Sequence, residues 1–321
     1  MSVLIHIHIE QEKIKKNYLE LANFGCGLAS QHLTNCVAFV TGESNSETLT
    51  ILSKYGISEV ILDTTSICTE QYLLHTLFQI AQDFEYVILC HNNIGKNVAP
   101  RLSVTLKAAI VSAVVGLDNI NTKNSFPKNV FSGKAKAYYK LLTPKKIITL
   151  SNNSYGVIIV HKIIERALNI SNWHSTYIPN SKIKILSTNQ TTSKINLSEA
   201  EIVVSAGRGL KDPKNWHLIE DLANILGAAT SCSRPVSDLD WRPHHEHVGQ
   251  TGLTIRPNLY LAIGISGAIQ HLAGVNGSRI IVVINIDAEA PFFKYANYGV
   301  VGDAFEIIPR LMDALRLFKA S

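Results

Sequence analysis

Charge is scarce in this sequence: Asp, Glu, Lys and Arg make up 17% of its 321 residues, against 46% hydrophobic residues. That balance excludes a disordered chain, which has too little apolar surface to offset the entropy of ordering. Glycine and proline are also few, 19 and 10 without a period, which excludes a collagen-like fibre. No uninterrupted apolar run approaches the ~20 residues that span a bilayer, so no membrane insertion is expected. Residues 1–13 carry no basic segment ahead of their apolar stretch and no small-residue cleavage site, so a soluble, cytoplasmic protein is expected. Cysteine is limited to Cys26, Cys36, Cys68, Cys90 and Cys232, far apart and with no Cys-x-x-Cys. This excludes a zinc-ribbon spacing and argues against a disulfide framework, leaving reduced and mostly packed thiols. The net charge is +5, yet the longest basic runs are pairs such as Lys15-Lys16 and Lys145-Lys146. No stripe of cations is available to neutralise successive phosphates, so no nucleic-acid partner is expected.

What is present is alternation. The length exceeds what one core usually serves, and two domains are expected. Strands are predicted at Val3–Ile9, Cys36–Val40, Glu59–Leu62 and Tyr86–Cys90. Helices are predicted over Ile14–Ala29, Glu47–Tyr55, Gln71–Ala81 and Val98–Ala109. Val130–Leu141, split by Ser132-Gly133, reads as a hairpin, and Lys146–Leu150 as a further strand. Such alternation implies parallel strands joined by helical crossovers. The polar, aperiodic stretch Ser187–Ser198 marks a boundary, giving an N-terminal α/β domain over 1–190 and a second domain over 197–321.

The second domain starts a new alternation. Strands are predicted at Ile202–Ser205, Ala228–Cys232, Leu259–Ile263, Ile280–Ile284 and Ala304–Ile308. Asp212-Pro213 opens a helix that runs through Trp216, Ile219, Leu222 and Leu226 to a stop at Gly227. Pro309 is expected to start a terminal helix.

Chemistry gathers after these strands. Gly207-Arg208-Gly209, Ser233-Arg234, Gly264-Ile265-Ser266-Gly267 and Asn285 each follow a strand, where open parallel sheets bind ligands. Glycines there let backbone approach a ligand, and guanidiniums suit phosphate oxygens. Ser266 is expected to cap a helix running to about Ala273, whose first amides favour an anion. The ensemble points to a nucleotide-like ligand with a pyrophosphate. Plainer readings exist for each part: a tight turn at Gly207 and Gly209, helix packing at Gly267, surface charge at Arg208 and Arg234. Asp212 stands where a GxGxxG pattern needs its third glycine, and Gly95-Lys96 lacks the rest of a Walker loop. His6 and His8 share one strand face and are read as an edge or surface strand. His244-His245-Glu246-His247 lacks the zincin spacing and is read as a loop. No metal site is assigned.

The segment Leu259–Asn285, LYLAIGISGAIQHLAGVNGSRIIVVIN, resembles the signature of the electron transfer flavoprotein alpha subunit. VGQTG at Val248–Gly252, the Gly207-Arg208-Gly209 turn, Ser233-Arg234 and the tail EAPFFKYANYGVVGDAF at Glu289–Phe305 fall in that family's order and spacing. The resemblance is strong over about Leu197–Arg310 and thinner before it, where mainly Gly95–Val114 is similar. It implies a Rossmann-like FAD-binding C-terminal domain, an N-terminal α/β domain that faces a partner, and a beta subunit completing a heterodimer. It also implies a carrier without substrate chemistry of its own, which passes single electrons from dehydrogenases of the acyl-CoA dehydrogenase type in fatty acid beta-oxidation to a quinone oxidoreductase. A subunit of an electron-bifurcating or dedicated flavin reductase complex oxidising NADH is the alternative, and a nucleotide sensor without redox function a weaker one.

By position, the resemblance places Arg208, Ser233, Arg234, Val248, Gly249, Gln250, Thr251, Ser266, Gly267, Ala268, Ile269, Gln270, His271, Asn285 and Asp303 around FAD. Ser266 and the amides after it would hold the pyrophosphate, and Asn285 and Asp303 the adenosine end. Thr251 offers a hydroxyl to flavin N5 and His271 a donor to the C2 carbonyl. Arg234 supplies a fixed charge that favours a reduced, anionic ring. The chain departs from the family pattern at Ala206, Leu253, Ile286 and Asn297, which bears on the ligand rim or partner contacts rather than on flavin binding.

Overall fold

The computed structural model describes residues 2–65, 69–117, 124–160, 168–175 and 195–320. They form an α/β fold with two compact units, each built on its own sheet. Apart from Phe131–Ala135, which cluster with the second, the described residues up to Ser175 make the first unit and those from Ile195 onward make the second. The expected boundary at Ser187–Ser198 lies, as far as Lys194, outside the described residues.

The first unit opens with β1 (Val3–Ile9), α1 (Lys16–Gln31), β2 (Cys36–Gly42), α2 (Ser46–Ser53), β3 (Glu59–Asp63) and α3 (Glu70–Ile80). It continues with β4 (Tyr86–Cys90), α4 (Asn93–Leu106), β5 (Ala109–Val114), β6 (Ser125–Val130), β7 (Ala135–Lys140), β8 (Lys146–Leu150) and β9 (Asn169–Asn172). The sheet runs β7-β6-β5-β8-β4-β1-β2-β3-β9, parallel through its centre and antiparallel where β5 meets β6. Alternation along β1 explains why both faces are covered. Val3, Ile5, Ile7 and Ile9 pack beneath Tyr18, Leu21, Phe24 and Leu28 of α1. Leu4 joins Val37, Phe39, Leu73, Leu77, Val98 and Leu102 on the other face. Period-2 side chains between two helical layers are what a parallel sheet requires.

Three expectations change here. β1 is not an edge strand: it sits between β4 and β2. His6 is buried, and His6 Nε2 and His8 Nδ1 both meet the Thr41 hydroxyl of β2 at 3.0 Å. Burial lowers the His6 pKa to about 3 and also lowers that of His8. α4 begins at Asn93, because Asn92 accepts from the Gly95 amide at 2.9 Å. It stops at Lys107 in a left-handed conformation (φ 51°). The expected helix end at Ala109 is therefore too late, and Ala109–Val114 forms β5 against β8.

A buried carboxylate fastens this unit's last turn. Glu20 of α1 is 2% exposed and accepts from the backbone amides of Asn153, Ser154, Tyr155 and Gly156 at 2.6–2.9 Å. One turn on, the Asn23 amide group bonds both the N–H and the C=O of Ile158.

The second unit holds β10 (Ile202–Ala206), α5 (His217–Leu226), β11 (Ala229–Cys232), α6 (Arg234–Asp238) and β12 (Leu259–Ile263). It ends with α7 (Ile269–Val275), β13 (Ile280–Asn285), β14 (Tyr298–Val301) and α8 (Ala304–Ala320). All five strands are parallel, in the order β11-β10-β12-β13-β14. The chain therefore leaves β10 on one side for β11 and returns on the other for β12. Between β10 and β12 lies the topological switch point of the sheet. α5 and α8 cover one face through Ile219, Leu222, Ile308 and Met312. Leu272, Val275 and Phe292 cover the other.

Residues 304–308 are helical, not a strand. Asp303 Oδ1 accepts from the Phe305 amide at 3.0 Å, an N-cap, and Ala304, Ile308 and Met312 bury one stripe at i, i+4, i+8. Pro309 consequently lies inside α8 rather than at its start. The last strand is β14, short and exposed along its length. Among the described residues no helix is long and apolar enough to cross a membrane.

The Glu20 clasp is testable. Glu20→Gln, which keeps the shape but removes the charge and one acceptor, should lower unfolding stability by about 3 kcal/mol, since hydrogen bonds to a buried charge are the strong ones. Urea unfolding of the two proteins, followed by circular dichroism, measures the difference.

Candidate functional site

Two loops cross at the switch point. Gly207–Gly209 follows β10 and Gly264 follows β12, and their backbones touch: the Gly209 amide donates to the Gly264 carbonyl at 3.2 Å. A Cβ at Gly207 would lie 2.3 Å from that carbonyl oxygen, and one at Gly209 2.6 Å from Gly264 Cα. Gly264 also has φ +59°, a left-handed conformation costly for a side chain. Only glycine fits at this crossing.

A cavity of about 400 Å³ opens outside the strand ends, a size that suits part of a dinucleotide or a small ligand. Its walls bring together Arg208 after β10, Ser233 and Arg234 after β11, Val248–Thr251, and Ser266, Ala268, Gln270 and His271 around the start of α7. Four expected positions do not line it. Gly267 packs against Phe292, and the Ile269 side chain points to solvent. Asn285 donates to the Ile265 carbonyl at 3.1 Å. Asp303 caps α8 and approaches Lys211 at 3.8 Å. Ser266 lines the cavity without capping α7: the cap position is Ala268, and the Ser266 carbonyl accepts from the Phe292 amide at 3.1 Å.

The loop that carries Val248–Thr251 is stitched on both sides. The Val248 amide donates to the Cys232 carbonyl at 3.1 Å, and the Gln250 amide to the Gln270 carbonyl at 2.7 Å. Ahead of it, Arg242 clasps the buried Glu246 through two bonds of 2.6 and 2.7 Å, reaches Glu220 at 2.9 Å, and lies 5.3 Å from the Trp216 ring centroid. These contacts, led by the hydrogen bond to Glu246, raise the Arg242 pKa. The ion pair also gives the carboxylate within the His244–His247 run its partner. Glu246 is committed to Arg242, and no group of metal-binding side chains occurs among the described residues.

His247 was missed by the sequence reading and is a buried wall of the cavity. Its pKa is lowered, first by burial, with Asp238 opposing. Its signal in the sequence was only its place before Val248, hidden by neighbours that looked like a loop. Pro235, beside the named Arg234, also lines the cavity, as do Gly207, Gly264 and Ile265 of the strand-end turns that the sequence reading singled out.

Tautomers can be assigned at His271. Burial, then His247, lower its pKa to about 4, so the ring is neutral near pH 7. Tyr260, fully buried on β12, has its pKa raised and keeps its proton. Its hydroxyl meets His271 Nε2 at 2.8 Å. The other ring nitrogen faces the Val248 carbonyl, which can only accept, so the phenol donates to Nε2 and the ring proton sits on Nδ1. That atom is buried without a hydrogen bond of ordinary geometry, beside the Val248 carbonyl. A buried donor left over at a cavity wall calls for an acceptor. Arg208 has no ion pair among the described residues, and the exposed Arg234 makes one bond, to Asp238 at 3.3 Å. A glycine cradle, two guanidiniums and an orphan donor fit an anionic dinucleotide with carbonyl groups on its ring, as FAD has.

The comparisons agree with this chemistry. Residues 196–276 match the family described as "Electron transfer flavoprotein FAD-binding domain", and residues 3–171 match "Electron transfer flavoprotein domain". The chain is 34% identical over 230 residues to "Electron transfer flavoprotein subunit alpha" of Bacillus subtilis, covering 72% of this chain and 70% of that protein. It is 35% identical over 263 residues to the protein of the same name from Thermoanaerobacterium thermosaccharolyticum, covering 78% and 77%. "Protein FixB" of Escherichia coli is 34% identical over 230 residues, covering 71% and 73%. With FAD as the cofactor of the domain whose glycine crossing and orphan donor are described above, the chain belongs to the electron transfer flavoprotein alpha-subunit family.

Proposed function

We propose that this chain is the FAD-carrying alpha subunit of a heterodimeric electron transfer flavoprotein, with an N-terminal scaffold domain over 1–190 facing a beta subunit and a C-terminal domain over 197–321 holding the cofactor. In this reading it works in the cytoplasm, takes electrons from dehydrogenases of the acyl-CoA dehydrogenase type and passes them singly to a quinone-linked acceptor. The observation that carries it is the cavity at the β10–β12 switch point, with Arg208, Arg234 and His271 on its walls.

FAD, when bound, supplies the redox centre that exchanges electrons with the partners. The residues of this chain bind and bias it. The Gly207–Gly209 crossing keeps side chains out of the way of a dinucleotide. Ser266 and Ala268 present the start of α7 to it. Arg208 and Arg234 hold positive charge against its phosphates and reduced ring. His271 offers Nδ1–H to a ring carbonyl as a neutral donor, and Thr251 a hydroxyl to the ring edge. Asn285 and Asp303 stand along the same sheet edge, in place for the adenosine end.

Co-expression with a beta-type partner should yield a yellow heterodimer with a flavin spectrum. A colourless, nucleotide-free complex overturns the reading. NADH-dependent reduction of that flavin without a dehydrogenase would instead make the chain part of a flavin reductase complex.

Removing the fixed charge by Arg234→Ala should lower the one-electron midpoint potential by about 50 mV, near tenfold in equilibrium for a single electron, in a spectroelectrochemical titration. Tyr260→Phe frees Nε2 and lets the ring change tautomer. FAD affinity should then fall about tenfold, the scale of one lost hydrogen bond to a buried group, as read by fluorescence of released flavin.

The depressed His271 pKa also sets a pH dependence. The unfolded chain takes up this proton near pH 6.5, the folded one only near pH 4. Its contribution is complete above pH 6.5 and is lost as the pH falls toward 4. Between pH 6 and 5 stability should drop about 1 kcal/mol more in the native protein than in His271→Gln, close to the slope for one proton. Urea titrations of both proteins at the two pH values measure it.

A further inference from the structure

The flavin site does not account for a pair of sulfurs in the first unit. Cys26 lies on α1 and Cys36 at the start of β2, and the two thiols are in hydrogen-bonding contact. The surroundings leave room for both. A Cβ at Gly25 would lie 2.9 Å from Cys36 Sγ, so α1 passes directly over that sulfur. A Cβ at Gly56 would lie 3.1 Å from Cys26 Sγ. Cys36 is buried and Cys26 half-buried. The remaining described cysteines differ: Cys90 donates to the Asn17 carbonyl, and Cys232 is fully buried at the end of β11.

We propose that Cys26 and Cys36 form an oxidisable dithiol, a modification site that closes to a disulfide when a hydroperoxide reaches Cys26. The roles within the pair are unequal. The Cys36 thiol is held well above its ordinary pKa, first by the hydrogen bond to Cys26 and then by burial. Cys36 therefore keeps its proton, and Cys26, the more accessible sulfur, is the one that a hydroperoxide reaches. In the first step the Cys26 thiolate attacks one peroxide oxygen. The O–O bond breaks, the leaving oxygen takes a proton and departs as water or alcohol, and Cys26 becomes a sulfenic acid. In the second step Cys36 sulfur attacks Cys26 sulfur. The S–S bond forms, the S–O bond breaks, and hydroxide leaves as water with the proton from Cys36. Two electrons have passed from the two sulfurs to the peroxide, and the product ties α1 to β2.

The test uses the full-length protein loaded with FAD, treated with hydrogen peroxide at neutral pH and then unfolded for thiol counting. The expected count falls from the five cysteines of the chain by two, dithiothreitol restores it, and peptide mapping finds one Cys26–Cys36 cross-link whose mass is lower by two hydrogens. Cys36→Ser should leave a sulfenic acid at Cys26 that dimedone traps, while in Cys26→Ser the buried Cys36 should stay unmodified. An unchanged count, a bridge to a different cysteine, or irreversible oxidation of Cys26 with no bridge overturns the proposal. So does the lack of a dimedone adduct in Cys36→Ser.

Discussion

Backbone touching backbone at Gly207, Gly209 and Gly264 is the constraint on which the second unit's site rests. The two loops leave neighbouring parallel strands, β10 and β12, from which the chain departs in opposite directions. Loops that diverge at a switch point leave a crevice, and its width depends on how closely they meet at their base. Here they meet at 3.2 Å, amide to carbonyl. A single methyl on any of the three residues would force them apart or into a carbonyl oxygen. The glycines are thus not a phosphate loop of the familiar GxGxxG kind. They are the pin of a crevice that they also line, and its side-chain contacts come from their neighbours.

Those contacts depend on a second support. Val248–Thr251 belongs to no helix or sheet; beyond a single bridge to Leu253, it holds its place through the Cys232 carbonyl on one side and the Gln270 carbonyl on the other. The Arg242–Glu246 pair fixes the turn that leads into it. A buried ion pair of this kind contributes little net stability against its desolvation cost, but it tolerates one geometry. In this place geometry is what matters, because the next residue, His247, is already a wall of the cavity.

Much of this was legible in the sequence, for physical reasons that differ by element. Leu259–Ile263 and Tyr86–Cys90 were predicted to the residue because buried parallel strands are short, β-branched and bounded by polar turns. Gly227 stops α5 in the left-handed conformation that its residue type suggested. The failures came where local pattern and tertiary setting disagree. Residues 304–308 carry strand-like isoleucines, but the Asp303 cap and a stripe at i, i+4 made them helical. The helix expected to run to Ala109 stops at Lys107, because Ala109 already pairs with β8. His6 and His8 looked like an edge because polar residues alternate with apolar ones; their partner, Thr41, is on another strand and invisible to a local reading. In the site, residues next to glycines and arginines were found readily. His247 and Tyr260 were not, since neither lies in a pattern that chemistry alone singles out.

Tyr260 changes how charge is distributed around the cavity. If His271 were an imidazolium, three cations would surround a ligand of fixed negative charge, and binding would vary across the neutral pH range. Burial and the phenol make it a neutral donor instead. The permanent charge is then carried by the guanidiniums of Arg208 and Arg234. Both lie at the exposed rim, where a guanidinium costs little to desolvate. The interior contributes oriented dipoles, which need no counter-ion and impose no charge on the oxidised ring. A carrier that must hold the same cofactor both before and after it gains an electron is served by this division: charge outside to attract, neutral donors inside to bias.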